Sequence, residues 1–120
     1  MEIWLVDDDP LTNMLNRMLI NDFDKSLNVR EFEKAEDALD RLLAGQNPDV
    51  IFLDINMPVM NGWDFISELE KRPGALSGKT KVHMLTSSVA PNDKSLADAS
   101  SIVELFLIKP LTPEILSEIL

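Results

Sequence analysis

The sequence predicts an α/β domain, a doubly wound (βα)5 unit with a five-stranded parallel sheet. Two observations carry this expectation. Short apolar runs of strand length alternate with segments of helical periodicity from end to end. Three of those runs, Ile3-Trp4-Leu5-Val6, Val50-Ile51-Phe52-Leu53 and Leu105-Phe106-Leu107-Ile108, are unbroken by polar residues, as strands covered on both faces are. No linker or repeat interrupts the pattern, so residues 1–120 are expected to form one domain.

Each element has its own signal. Ile3–Val6 is the first strand. Asp9-Pro10 starts a helix, because Asp caps and Pro fits the first helical position. Leu11, Met14, Leu15, Met18 and Leu19 follow at helical spacing and read as its core face. Leu27–Phe32 alternates apolar and polar residues, as a half-exposed edge strand does. Ala35, Ala38, Leu39, Leu42 and Leu43 mark a second helical face, stopped at Gly45-Gln46-Asn47-Pro48. Val50–Leu53 is the third strand, and Asn61-Gly62 is a turn signal. A helix then runs from Trp63 to Lys71 with Phe65, Ile66 and Leu69 inward. Lys81–Leu85 is the fourth strand, and Pro91–Ala99 a polar, weakly amphipathic helix. Glu104–Ile108 is the fifth strand. Thr112-Pro113 opens the last helix, with Ile115, Leu116, Ile119 and Leu120 inward.

Composition excludes several functions. The net charge of −10 argues against direct nucleic-acid binding, which needs Lys and Arg to neutralise phosphates. It equally disfavours an anionic membrane surface. No apolar run is long enough to span a bilayer, and no basic n-region follows Met1. The chain has no cysteine, hence no disulfide and no thiolate metal site, which is compatible with a cytoplasmic location.

Four charges carry the chemistry. Asp7 and Asp8 close the first strand, Asp54 closes the third and Lys109 the fifth. The carboxyl edge of a parallel sheet is where ligands bind. Two carboxylates about 4 Å apart repel by roughly 4 kcal/mol at an effective dielectric near 20. Such a cluster either raises a pKa or takes a cation. Mg²⁺ suits it, being held by one or two carboxylates, waters and substrate phosphate. Three Asp and one Lys sum to −2, which one divalent ion neutralises. A phosphoryl group could then meet the metal, Lys109 and the Thr86 hydroxyl, with an Asp as nucleophile.

The motifs Val6-Asp7-Asp8, Leu53-Asp54-Ile55-Asn56-Met57-Pro58-Val59-Met60-Asn61-Gly62, Thr86-Ser87 and Phe106-Leu107-Ile108-Lys109-Pro110 stand in this order along the chain. Together they resemble a response-regulator receiver domain of two-component phosphorelay signalling, similar to chemotaxis regulators. The resemblance covers essentially the whole chain and implies the flavodoxin-like strand order 2-1-3-4-5. It implies that Asp54 accepts the phosphoryl group from a histidine kinase or histidine phosphotransfer protein. Asp8 and Asp54 would bind Mg²⁺ (or Mn²⁺) directly, Asp7 through a water, and Asn56 through its backbone carbonyl. Thr86 and Lys109 would contact the phosphoryl group, with a cis Lys109-Pro110 bond. Thr86 and Phe106 would form the switch that alters the surface of the fourth helix, fifth strand and fifth helix. Dimerisation on phosphorylation is an assembly such domains allow. A receiver of this kind is a switch that catalyses only its own phosphorylation and dephosphorylation.

Plainer readings stand beside these. Asp9 serves best as a helix cap. His83, the single histidine, reads as a strand residue, and the methionines Met14, Met18, Met57, Met60 and Met84 as packing. Trp63 also reads as packing. Phe106 lacks the hydroxyl that many receivers carry there. Ala99-Ser100-Ser101-Ile102 departs from the usual Gly-Ala pair, which leaves the fourth-helix surface open. A Mg²⁺-dependent phosphohydrolase of the haloacid-dehalogenase type is the chief alternative, but it wants a second Asp where Asn56 stands. A flavin-binding flavodoxin is a weaker one, because Asp7-Asp8-Asp9 would repel a phosphate. A receiver-like protein that never takes phosphate is disfavoured by the full Asp/Asp/Asp/Thr/Lys set.

Overall fold

A computed structural model describes residues 1–88 and 90–120. Its elements are β1 (Glu2–Val6), α1 (Pro10–Phe23), β2 (Asn28–Phe32), α2 (Ala35–Leu43), β3 (Val50–Leu53), α3 (Gly62–Glu70), β4 (Lys81–Thr86), α4 (Pro91–Ala99), β5 (Val103–Ile108) and α5 (Pro113–Ile119). The five strands form one sheet in the order β2-β1-β3-β4-β5. Every neighbouring pair is parallel. Both expectations about the sheet, its parallel pairing and the order implied by the resemblance, hold.

Side-chain alternation along each strand divides the core in two. Trp4, Val6, Ile51, Leu53, Val82 and Met84 meet α2, α3 and α4 on one face. Ile3, Leu5, Val50, Phe52 and Leu85 meet α1 and α5 on the other. The central strands β1, β3 and β4 are covered on both sides, which explains their unbroken apolar runs. Connection geometry places β1 and β3 side by side, with Val6 opposite Leu53. Asp7 and Asp54 therefore leave the sheet at one edge.

Three sequence expectations need correction. First, the apolar stripe of α1 does not face the core: Leu11, Met14, Leu15 and Met18 are 56%, 46%, 53% and 55% exposed. The helix instead turns Asn13 and Ile20 inward. Asn13 Nδ2 donates to the Asp7 carbonyl at 2.9 Å and the Phe32 carbonyl at 3.3 Å, tying α1 to the ends of β1 and β2. That polar anchorage fixes the rotation of α1 and leaves its apolar stripe outside. Second, β5 is a half-covered edge strand, with Leu105 and Ile108 exposed. Among the described residues no strand pairs beyond it, and its apolar run does not reflect burial on both faces. Third, Leu43 is exposed at the end of α2. Among the described residues no helix is long and apolar enough to cross a membrane.

Candidate functional site

The site is built at the carboxyl edge by three strand ends. Ligand oxygens of Asp7, Asp8 and Asp54 all lie within 4.8 Å of one another. Asp7 and Asp54 are buried, while Asp8 is exposed. Asp7 Oδ1 accepts from the Asp9 N–H at 2.9 Å, and Asp54 Oδ1 accepts from the Ile55 N–H at 2.9 Å. These bonds leave Oδ2 of each carboxylate turned to Lys109. Its Nζ lies 2.6 Å from Asp7 Oδ2 and 3.7 Å from Asp54 Oδ2. The closer ion pair thus involves Asp7.

Electrostatics follow from this crowding. Burial first, and then the neighbouring charge of Asp7, push the Asp54 carboxyl above its ordinary range, although Lys109 pulls the other way. Burial draws the Lys109 ammonium down, but its bond to Asp7 and the charges of Asp54 and Asp7 outweigh that and raise it. One lysine does not balance three carboxylates. Oxygen donors this close, with one of them disfavoured as an anion, form a donor set for a hard divalent cation.

Asp9 stands outside the cluster as a cap. Its side chain accepts from the Leu11 N–H at 3.0 Å and the Thr12 hydroxyl at 2.9 Å. The Thr12 bond is the main reason its carboxyl is held low. Asn56 is exposed two residues past Asp54. Thr86 ends β4 fully buried, opposite Ile108, and its hydroxyl accepts from the Ser88 N–H at 3.1 Å. Phe106 pairs across from Met84 on the same sheet face as Thr86 and is half-buried. The Lys94 ammonium lies 6.0 Å from its ring centre. The Lys109-Pro110 bond is cis.

Gly62 has a role that the Asn61-Gly62 turn signal did not disclose. Asn61 caps α3 and forms a reciprocal capping box with Asp64. Gly62 is the first helical residue, and its N–H donates to the Ile55 carbonyl at 2.9 Å. A Cβ there would stand 2.5 Å from the Asp54 carbonyl oxygen and 2.9 Å from Ile55 Cα. The position needs space rather than an unusual backbone angle. Sequence reasoning also missed Asn13, whose only signal was a competing helical face through Asn13, Asn16 and Ile20.

A family model described as "Response regulator receiver domain" matches residues 3–120. The chain belongs to this family. As a receiver domain it is a phosphoacceptor signalling module, a switch rather than a metabolic enzyme. It is 32% identical over 119 residues, 98% of its length, to the transcriptional regulatory protein FlgR of Helicobacter pylori, and spans only 28% of that protein. A two-component response regulator from Cytophaga hutchinsonii superposes with a TM-score of 0.87 at 32% identity, covering 98% of this chain and 91% of that one. The response regulator TrrA of Thermotoga maritima, solved in complex with Mg(2+)-BeF, has a TM-score of 0.74 at 25% identity, covering 98% and 93%.

Proposed function

We propose that residues 1–120 act as one receiver unit in which Asp54 accepts a phosphoryl group from a histidine-bearing donor in the cytoplasm. The observation that carries this reading is the convergence of Asp7, Asp8 and Asp54 with Lys109 at one sheet edge. An Asp54 oxygen attacks phosphorus as the nitrogen–phosphorus bond of the donor breaks, and the imidazole leaves with the bonding electron pair. Asp8 and Asp54 would hold Mg²⁺ (or Mn²⁺) directly, with Asp7 acting through water and Asn56 through its carbonyl. A bound divalent ion supplies charge neutralisation for the phosphoryl oxygens. The pairing of Mg(2+) with BeF in TrrA supports this donor set. Lys109 leaves Asp7 for the new oxygens, and the Thr86 hydroxyl donates to one of them. Phe106 follows Thr86, which alters the surface of α4, β5 and α5 and could there admit a second copy.

The exposed stripe Leu11, Met14, Leu15 and Met18 suits the donor. It begins just past Asp8 on the helix that opens at Pro10, so apolar helices docked on it would bring a histidine to the site. Acetyl phosphate with Mg²⁺ should add one phosphoryl mass to the wild type, and a chelator should prevent it. If Asp54→Asn gains the same mass with the same kinetics, Asp54 is not the acceptor. Leu15→Asp should slow transfer from a phosphohistidine donor while leaving the acetyl phosphate reaction intact.

A further inference from the structure

Helix α4 buries only Ala97, and its N-cap residue Ala90 offers no side-chain acceptor. Its first turn is held instead by a carboxylate. Asp93 Oδ1 accepts from the Trp63 indole Nε1–H at 2.9 Å, and Asp93 Oδ2 accepts from the Ser88 hydroxyl. The Ser88 N–H in turn donates to the Thr86 hydroxyl at 3.1 Å. A continuous polar chain therefore runs from the end of β4, through Ser88, to the start of α4 and across to α3.

The far end of that chain is firm. Trp63 follows Gly62 in α3, packs against the core, and sits on a helix that buries Phe65, Ile66 and Leu69. The near end is Thr86. With its hydroxyl turned toward a phosphoryl group on Asp54, the oxygen that Ser88 now uses as an acceptor is withdrawn. We propose that Asp93 is a positioning residue, holding α4 in its resting place through Trp63 and Ser88, and that recruitment of Thr86 releases it. The inference rests on the reading of Asp54 and Thr86 above and adds the path from the site to α4.

Linkage gives the sign. A bridge present only at rest opposes occupation of the acceptor site, so removing it favours occupation by the same factor. Beryllofluoride with Mg²⁺ is the phosphoryl mimic to titrate. Trp63→Phe keeps an aromatic ring and removes the N–H, and Asp93→Ala removes both acceptor oxygens. Each should bind beryllofluoride about fivefold more tightly or better. The double variant should gain little over either single, because both cut one chain. With Trp4→Phe as background, Trp63 is the sole indole, and its emission should change on beryllofluoride binding. A merely structural role would weaken binding or leave it unchanged. Unchanged or weaker binding by both single variants, or a Trp63 emission that stays fixed while the mimic binds, overturns the proposal. If folded wild type takes up no beryllofluoride, the acceptor reading itself fails and this inference with it.

Discussion

The successive units β3–α3 and β4–α4 are neighbours with their helices on the same face of the sheet, and both helices are nine residues long, yet they are held by different means. Helix α3 has a capping box, a glycine seated against the Asp54 backbone, and Phe65, Ile66 and Leu69 in the core. Helix α4 has no side-chain cap, buries Ala97 alone, and leaves Leu96 exposed. A groove of about 280 Å³, lined by Trp63, Ile66, Leu96 and Ala99, separates the two. Elements that move are drawn from the weakly buried end of a structure. Helix α3 is thus framework, while α4 is only lightly held against the buried strand β4.

The largest expected contrast comes from truncating one side chain in each helix. Phe65 is fully buried, so Phe65→Ala should cost about 3–5 kcal/mol in urea unfolding. Leu96 is 42% exposed, so Leu96→Ala should stay within about 0.5 kcal/mol. Equal losses at the two positions would erase the distinction between the units.

The same contrast explains what could be read from the sequence. The framework was legible because its signals are local. Unbroken apolar runs located β1 and β3, and the charge that ended each run located Asp7, Asp8 and Asp54. What was lost needed tertiary information. A helix with two usable faces does not say which one turns inward, and Asn13 decided that for α1 through the carbonyls of Asp7 and Phe32. The apolar run of β5 matched those of the central strands, but β5 is an edge strand flanked by β4 alone and only partly covered by helices. Gly62 carried a turn signal because a steric demand from Asp54 leaves no trace in nearby residues. The Ser88–Asp93–Trp63 bridge joins residues 30 positions apart in the chain.

Acid should act on the two units with opposite sign. His83 in β4 is 1% exposed, and among the described residues neither ring nitrogen has a hydrogen-bond partner. Burial, its main influence, holds its pKa below the ordinary 6.5, with Glu104 opposing and Lys81 assisting. Its folded pKa lies below its unfolded one, so the neutral ring's advantage is complete above about pH 6.5 and is lost as the pH falls below it. Asp54 has the reverse shift: its folded pKa is raised, so protonation on acidification relieves the fold. His83→Leu should flatten the acid loss below pH 6.5 and, by removing unpaired nitrogens, stabilise the protein by about 1–3 kcal/mol. Asp54→Asn should instead stabilise the metal-free protein at neutral pH and remove its gain in acid. Thermal midpoints from pH 8 down through the ordinary carboxylate range near about 4 would read both, and a His83→Leu profile parallel to wild type would show that the ring does not titrate on unfolding.

The framework unit has one weak point of its own. Val59, in the loop between Asp54 and α3, has φ 68° and is 91% exposed. A β-branched residue in the left-handed region is strained, by about 1–2 kcal/mol, and no packing offsets this on a side chain so open to solvent. Asn tolerates that region better, because its short polar side chain can bond locally. Val59→Asn should therefore raise stability by about 1 kcal/mol, a smaller effect than truncating Phe65 and opposite to it in sign. Strain retained beside a reactive site, on a fully presented side chain, is an argument for contact with the donor. On that argument Val59→Asn gains stability and keeps its acetyl phosphate reaction, but loses rate with a phosphohistidine protein. If both rates stay at the wild-type value while the melting temperature rises, Val59 is strained without serving transfer, and the site's demand on β3–α3 ends at Gly62.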